Sequence, residues 1–223
     1  MTNEPELIEI NPAGQAEKCI IWLHGLGADG NDFVPIVPEL HLPATMPVRF
    51  VFPHAPIMPV TINNGYKMRA WFDIYDISKN AKIDESGIAD SVTTVAKLIT
   101  RETARGIDTS DIILAGFSQG AVIALTTGLC YPQRLGGIIA LSGYLPLADK
   151  VFARASQVNR DLPIFIAHGT EDPIVPFTHG KGTYMALKRE GYPVTWHSYP
   201  MPHSVCAPEI KDISQWLQSI KNE

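Results

Sequence analysis

The chain has 223 residues, of which 45% are hydrophobic and 18% are charged. This is the composition of a globular protein, and the length suits one α/β domain over residues 1–223 with a full core. The net charge of −5 without a basic run argues against a nucleic-acid partner, and no stretch approaches the roughly 18 unbroken apolar residues of a membrane span.

The cysteine content indicates the compartment and argues against metal binding. Cys19, Cys130 and Cys206 are odd in number and have no metal-ligand spacing, which favours reduced thiols in a cytoplasmic protein and gives no sign of a metal site. The N-terminal segment carries Glu6 and Glu9 but no basic region, so we expect no secretory signal.

Short apolar runs alternate with longer segments of helical period along the chain. This alternation predicts an α/β fold with a mostly parallel sheet covered by helices on both faces. The predicted strands are residues 19–23, 48–52, 112–115, 137–141, 164–167 and 194–199. The predicted helices are 84–105, 119–130, 177–189 and a last one that opens at 207–209.

Residues 53–82 fit neither pattern. Three prolines come early (Pro53, Pro56 and Pro59), and large side chains follow, among them Trp71 and Phe72. Loops of this length in a compact domain are usually functional, so this one could cover an apolar pocket. The alternative is a loop packed as a small satellite core, and composition alone leaves both open.

The segment Gly116-Phe117-Ser118-Gln119-Gly120 carries the strongest chemical signal. The pattern Gly-x-Ser-x-Gly is modest by itself, because a turn serine between glycines can arise by chance. Here it follows the predicted strand 112–115 and opens the predicted helix 119–130, the strand-turn-helix setting of a nucleophile elbow in an α/β-hydrolase fold. The glycines leave room for the sharp turn. We therefore predict that Ser118 is a nucleophile.

A serine nucleophile needs a general base, which follows it in the chain order of this fold. His197 lies inside the last predicted strand, His168 ends a strand beside a glycine, and His179 begins a helix. His203 lies in a loop just beyond the last strand, at the sheet edge where ligand-facing residues gather. We predict His203 as the base.

The base in turn needs an orienting carboxylate. Asp172 follows the strand 164–167, and Pro173 restrains the turn that holds it. Glu171 is adjacent but should point elsewhere, and Asp149 is a second rival after the preceding strand. Asp172 is the predicted acid.

The oxyanion of an acyl-transfer intermediate needs two N–H donors. The backbone N–H of Gln119 is the expected first donor, and the glycine-rich loop after the first strand should supply the second. Leu26 is preferred there, although spacing does not exclude Gly25. His24 is expected to hold this loop rather than to act as a second base.

Together these segments resemble the phospholipase/carboxylesterase family, which includes bacterial carboxylesterases and acyl-protein thioesterases, also called lysophospholipases. The matching segments are LHGLGADG at 23–30, FPHAP at 52–56, MRAWFD at 68–73, AGFSQG at 115–120, LSGYLP at 141–146, HGTED at 168–172 and PHSVC at 202–206. One departure is Ala121, where many members carry a third glycine after Ser-Gln-Gly.

The resemblance implies an α/β-hydrolase core without a large cap domain and a triad of Ser118, Asp172 and His203. It implies that the long loop helps to form the acyl pocket, so that Leu26, Trp71 and Phe72 become substrate-binding wall residues. Members of the family often form homodimers, which makes a homodimer an expectation to test.

The preferred function is hydrolysis of a small acyl ester or thioester by a serine carboxylesterase, with no metal or organic cofactor. An acyl-protein thioesterase or lysophospholipase acting on long acyl chains shares this chemistry and differs in pocket length. A hypothesis of another class is an inactive binding protein on a hydrolase fold.

Overall fold

The computed structural model describes residues 5–76 and 82–220. Its centre is a seven-stranded sheet with the order β1-β3-β2-β6-β7-β8-β9. The seven strands are β1 (Leu7–Ile10), β2 (Lys18–Leu23), β3 (Val48–Pro53), β6 (Ile112–Phe117), β7 (Gly137–Leu141), β8 (Ile164–Gly169) and β9 (Val194–Tyr199). All neighbouring strands pair in parallel except β1, which is antiparallel to β3.

Helices cover both faces of the sheet. They are α1 (Ile36–Glu39), α2 (Glu85–Ala104), α3 (Gln119–Cys130), α4 (Ala148–Arg154), α5 (Phe177–Arg189) and α6 (Ala207–Ser219). One apolar core joins α2, α3, α4 and α5 to one face, and the second joins α1 and α6 to the other. The central strands bury nearly every residue, which explains why they form unbroken apolar runs in the sequence.

The six predicted strands and four predicted helices are present, with ends shifted by up to two residues. Several other elements were not predicted from the sequence. The strand β1 and the short helices α1 and α4 carry too few residues for a clear periodic pattern. Within the stretch 53–82, the strands β4 (Ile57–Val60) and β5 (Tyr66–Arg69) form a separate antiparallel hairpin. Ile57 and Tyr66 are exposed in this hairpin although both side chains are large and hydrophobic. Its sequence therefore lacks the alternation of apolar and polar residues that marks a half-buried strand. Residues 77–81 of the stretch lie outside the described residues.

Candidate active site

Ser118 occupies a sharp turn between β6 and α3. Its backbone has φ 54° and ψ −116°, a conformation that a residue with a side chain rarely adopts. A Cβ on Gly116 would lie 2.3 Å from the carbonyl of Gly120, and one on Gly120 would lie 2.2 Å from the Leu23 carbonyl oxygen. The N–H of Ser118 donates to the Leu141 carbonyl at 2.8 Å, which fixes the turn to the neighbouring strand. The strand-turn-helix setting predicted for the motif is therefore present.

Asp172 and His203 form a direct pair beyond the ends of β8 and β9. The distance from His203 Nδ1 to Asp172 Oδ2 is 2.6 Å. The other carboxylate oxygen accepts the N–H groups of Ile174 and Val175, each at 2.9 Å. Because an ionised carboxylate only accepts hydrogen bonds, the His203 hydrogen lies on Nδ1. Nε2 of the neutral ring is then left as a base.

The two loops that carry this pair are joined through their backbones. Thr170 N–H donates to the Tyr199 carbonyl at 2.8 Å, and Glu171 N–H donates to the Met201 carbonyl at 3.2 Å. A Cβ on Gly169 would lie 2.3 Å from that Met201 oxygen, so only glycine permits this approach. The side chain of Glu171 is exposed, as is Asp149 on α4, and neither rival meets the His203 ring.

Ser118 and His203 line the same cavity, which has a volume of about 700 Å³. Among the described residues, the Ser118 hydroxyl makes no hydrogen bond to a protein group. Catalytic hydrogen bonds are often long before substrate binds, so this open arrangement is compatible with catalysis. The wall is largely apolar and includes Leu26, Phe72, Ile74, Val122, Tyr144, Leu145, Ile174, Val175 and Ala186. Its size is that of a small-molecule site.

Two residues that line this cavity have backbone N–H groups without an acceptor among the described residues. Within residues 5–76 and 82–220, neither the Leu26 N–H nor the Gln119 N–H donates to a protein oxygen, and both residues line the cavity beside Ser118. Gln119 is the first residue of α3, where the helix dipole favours negative charge. The N–H of Gly25 is also without an acceptor there, so the alternative to Leu26 stays open.

His24 holds the donor loop, as expected from the sequence. The N–H of Ala55 donates to its Nε2 at 3.0 Å, so the ring hydrogen lies on Nδ1, which donates to the Gly25 carbonyl at 2.7 Å. Burial lowers the pKa of the His24 imidazole. With both nitrogens engaged, His24 cannot serve as a second base in this arrangement.

The side chain of Gln119 has a role that the sequence did not indicate. Its Oε1 accepts the N–H of Trp71 at 2.8 Å, and its Nε2 donates to the Phe72 carbonyl at 2.7 Å. The amide thus fixes the segment after β5 against the nucleophile elbow. These two bonds join side chain and backbone across 48 and 47 positions of the chain. No local sequence pattern reveals such a contact.

The structure separates the three predicted wall residues. Leu26 and Phe72 line the cavity, whereas Trp71 is only 2% exposed and is not among the lining residues. The indole N–H of Trp71 donates to the His24 carbonyl at 2.9 Å, which turns the ring into the core behind the wall. Trp71 therefore supports the wall rather than contacting a ligand.

The other histidines after Ser118 occupy separate positions. His197 pairs with Asp212 on α6, with 3.2 Å between Nδ1 and Oδ2, and His179 is exposed at the cavity rim near Tyr144. His168 is fully buried, with Nε2 at 2.9 Å from the Val175 carbonyl. It thereby supports the turn that carries Asp172.

No group of three or more histidine, cysteine, aspartate or glutamate side chains within the described residues is arranged to hold a metal ion. None of the helices in the described part of the chain is both long and apolar enough to cross a membrane.

Comparisons with known proteins agree with this architecture. A sequence model of the phospholipase/carboxylesterase family matches residues 5–221. Acyl-protein thioesterase 1 of Yarrowia lipolytica is 38% identical over 93% of this chain and 94% of its own length. Carboxylesterase SOBER1 of Arabidopsis thaliana is 34% identical over 91% of this chain and 90% of its own.

Solved structures give the same result. The crystal structure of SOBER1 superimposes with a TM-score of 0.85 at 34% identity, covering 91% of this chain and 98% of the other. That of acyl-protein thioesterase 2 from Zea mays also has a TM-score of 0.85, at 30% identity, covering 96% and 98%. The predicted fold class, a mostly parallel sheet of the α/β-hydrolase type, is confirmed.

Proposed function

This chain belongs to the phospholipase/carboxylesterase family and is thereby an ester or thioester hydrolase, and we propose that it works through an acyl-enzyme on Ser118. The observation that carries the proposal is the 2.6 Å pair of His203 and Asp172, which opens onto the cavity that also holds Ser118. A base with a fixed tautomer, a serine on a strained turn and two free N–H donors are the parts that acyl transfer requires.

The first half of the reaction forms the acyl-enzyme. Nε2 of His203 removes the Ser118 proton while Oγ attacks the substrate carbonyl carbon, and the carbonyl oxygen becomes an oxyanion. The N–H groups of Leu26 and Gln119 stabilise this charge, since each is free to donate. Asp172 stabilises the imidazolium that forms. Its two backbone donors hold the carboxylate in place during this step.

The second half releases the acid. His203 donates its proton to the departing alcohol or thiol as the tetrahedral intermediate collapses to the Ser118 ester. A water molecule then gives its proton to Nε2 of His203 and attacks the acyl carbon. Collapse of the second intermediate returns the proton to Ser118 and frees the carboxylic acid. These steps require no metal or organic cofactor.

A carboxylesterase is the preferred function, and a thioesterase or lysophospholipase for long acyl chains is the second candidate. The second candidate is supported by the cavity, which has a volume of about 700 Å³, is largely apolar and is lined in part by residues of α4 and α5. The two functions share one mechanism and differ in the acyl length that the pocket accepts. The third hypothesis from the sequence, an inactive binding protein on a hydrolase fold, does not agree with membership of this hydrolase family.

A chain-length series separates these candidates. Wild-type protein is assayed with p-nitrophenyl esters from two to sixteen carbons beside an acyl-thioester peptide. A carboxylesterase has its highest kcat/KM on short or medium esters, and the second candidate has it on long chains or the thioester. His203→Ala should remove most turnover, whereas His197→Ala, a change outside the cavity at a residue that pairs with Asp212, should retain it. Near-normal turnover by folded His203→Ala would show that the base is another residue.

A cytoplasmic location and a homodimer stay predictions. Cys19, Cys130 and Cys206 are all free, which supports a reducing compartment. Fractionation of cells and analytical ultracentrifugation of the purified protein would test the two expectations separately.

A further inference from the structure

The carboxylate of Asp172 faces two imidazoles, not one. Its Oδ2 lies 2.6 Å from His203 Nδ1 and 3.4 Å from His168 Nε2. The same His168 nitrogen lies 2.9 Å from the Val175 carbonyl oxygen. Val175 also donates its N–H to Asp172 Oδ1. His168 therefore lies against both the acid and a residue that hydrogen-bonds to it.

The surroundings of His168 determine its tautomer. Both groups near Nε2 are oxygens that can only accept, so Nε2 must carry the hydrogen. Nδ1 is buried and has no hydrogen-bond partner among the described residues. A second hydrogen on Nδ1 would be buried without an acceptor there, which disfavours the charged ring. Burial correspondingly lowers the pKa of His168, and the titratable groups around it are Asp172, His203 and His179.

Helix α5 fixes the orientation of the ring. A Cβ on Gly180 would lie 2.2 Å from His168 Nδ1, so the helix backbone packs directly against that nitrogen. The ring of Phe177 meets it edge-on, with 6.1 Å between centroids. The ring cannot rotate to present Nδ1 to the acid without displacing α5.

We infer that His168 is a positioning residue: its imidazole holds the turn of Asp172, through Val175, in place for His203. The inference rests on the proposed function. A charged second imidazole would compete with His203 for the carboxylate, whereas the neutral ring donates its one hydrogen to the Val175 carbonyl and so fixes the residue whose N–H holds Asp172 Oδ1. His168 touches no reacting atom and acts through Val175 and Asp172.

A pair of amide variants tests this role. In His168→Gln the amide nitrogen reaches the position of Nε2, whereas in His168→Asn the shorter side chain does not. Rates on p-nitrophenyl butyrate are divided by the number of sites titrated with a fluorophosphonate, so that only folded, reactive protein is counted. His197→Leu, which removes a histidine paired with Asp212 outside the site, is the matched control.

We expect kcat of the Asn variant to fall by about tenfold at nearly constant KM, with most of the loss recovered in the Gln variant. Without the donor, Asp172 is held less firmly beside His203 and stabilises the imidazolium less, so the acid limb of the kcat/KM profile should move to lower pH in the Asn variant. A merely structural histidine would lower the melting temperature without moving this limb.

Wild-type kcat and an unmoved limb in His168→Asn would overturn the inference, and so would equal losses in both variants. If the Asn variant does not fold, His168→Gln decides alone, because a tenfold loss per titrated site there is incompatible with a rescuing donor. An inactive wild-type protein would instead refute the proposed function, so the two failures are distinguishable.

Discussion

Replacing Gln119 by glutamate tests whether its side chain holds the cavity wall. The amide makes two buried bonds, one accepted from Trp71 and one donated to Phe72, and Gln119 is 4% exposed. A carboxylate can still accept the first but cannot donate the second. The Phe72 carbonyl is then left buried without a partner, opposite a negative charge.

The expected loss of stability follows from these contacts. A buried polar group without its partner costs about 1–3 kcal/mol, and the charge facing the carbonyl oxygen adds to this. We expect the free energy of unfolding at pH 8 to fall by roughly 2–3 kcal/mol, a drop in Tm of about 4–12 °C for a chain of this length. Gln215→Glu, the same change at an exposed position of α6, should shift the free energy by less than about 0.5 kcal/mol.

The dependence on pH makes the test specific. When the carboxyl group introduced by Gln119→Glu is protonated, it can donate its O–H to the Phe72 carbonyl, so the folded state holds the proton more tightly than the unfolded state does. The destabilisation should therefore be small near pH 4 and grow as pH rises above the unfolded pKa of about 4.3. Thermal unfolding of wild type and both variants from pH 4 to 8 measures this. An equal loss at both ends of the range, or none at pH 8, would refute the role of Gln119.

Three further predictions concern other parts of the chain. Glu102 is fully buried against three arginine side chains, so Glu102→Ala should cost about 3–5 kcal/mol in denaturant unfolding, and a loss below about 1 kcal/mol would contradict the pairing. Burial raises the pKa of Glu209 to about 8 from 4.5, so its contribution to stability is present below pH 4.5 and lost as pH rises toward 8. Glu209→Gln should therefore reduce the fall in the free energy of unfolding between pH 4.5 and 8. An unchanged fall would exclude Glu209 as its source. Gly182 lies inside α5 on the cavity wall, with nothing within 4 Å of its Cβ position. Gly182→Leu should keep or raise Tm, because leucine favours a helix more than glycine does, and should shift the highest kcat/KM toward shorter p-nitrophenyl esters. An unchanged chain-length profile would mean that acyl chains do not reach α5.

The central sheet and the chain order of the site could be predicted because each left a local signal. Strands buried on both faces, such as β6 and β7, are continuous apolar runs. Ser118 directly follows β6, Asp172 and His203 lie in the loops after β8 and β9, and the carboxyl ends of parallel strands meet at one sheet edge. The strand positions therefore indicated which side chains would come together.

Contacts between distant segments had no such signal. The tryptophan of the long loop was predicted to line the pocket because the family resemblance implies that this loop helps to form the acyl pocket. Its indole N–H instead bonds the His24 carbonyl, and Gln119 holds its backbone, so Trp71 faces inward while Phe72 faces the cavity. The second imidazole near Asp172 likewise depends on the packing of α5 against His168, which spacing along the chain does not record.

Covalent labelling of Ser118 tests the proposed mechanism most directly. The folded protein is treated with a fluorophosphonate, and the adduct is measured by intact mass and located by peptide mapping, beside Ser118→Ala and a heat-unfolded sample. The mechanism requires one adduct per chain on Ser118, slower labelling in His203→Ala and none in the other two samples. Absence of an adduct in the folded wild type, or an adduct on a different residue, would contradict an acyl-enzyme on Ser118.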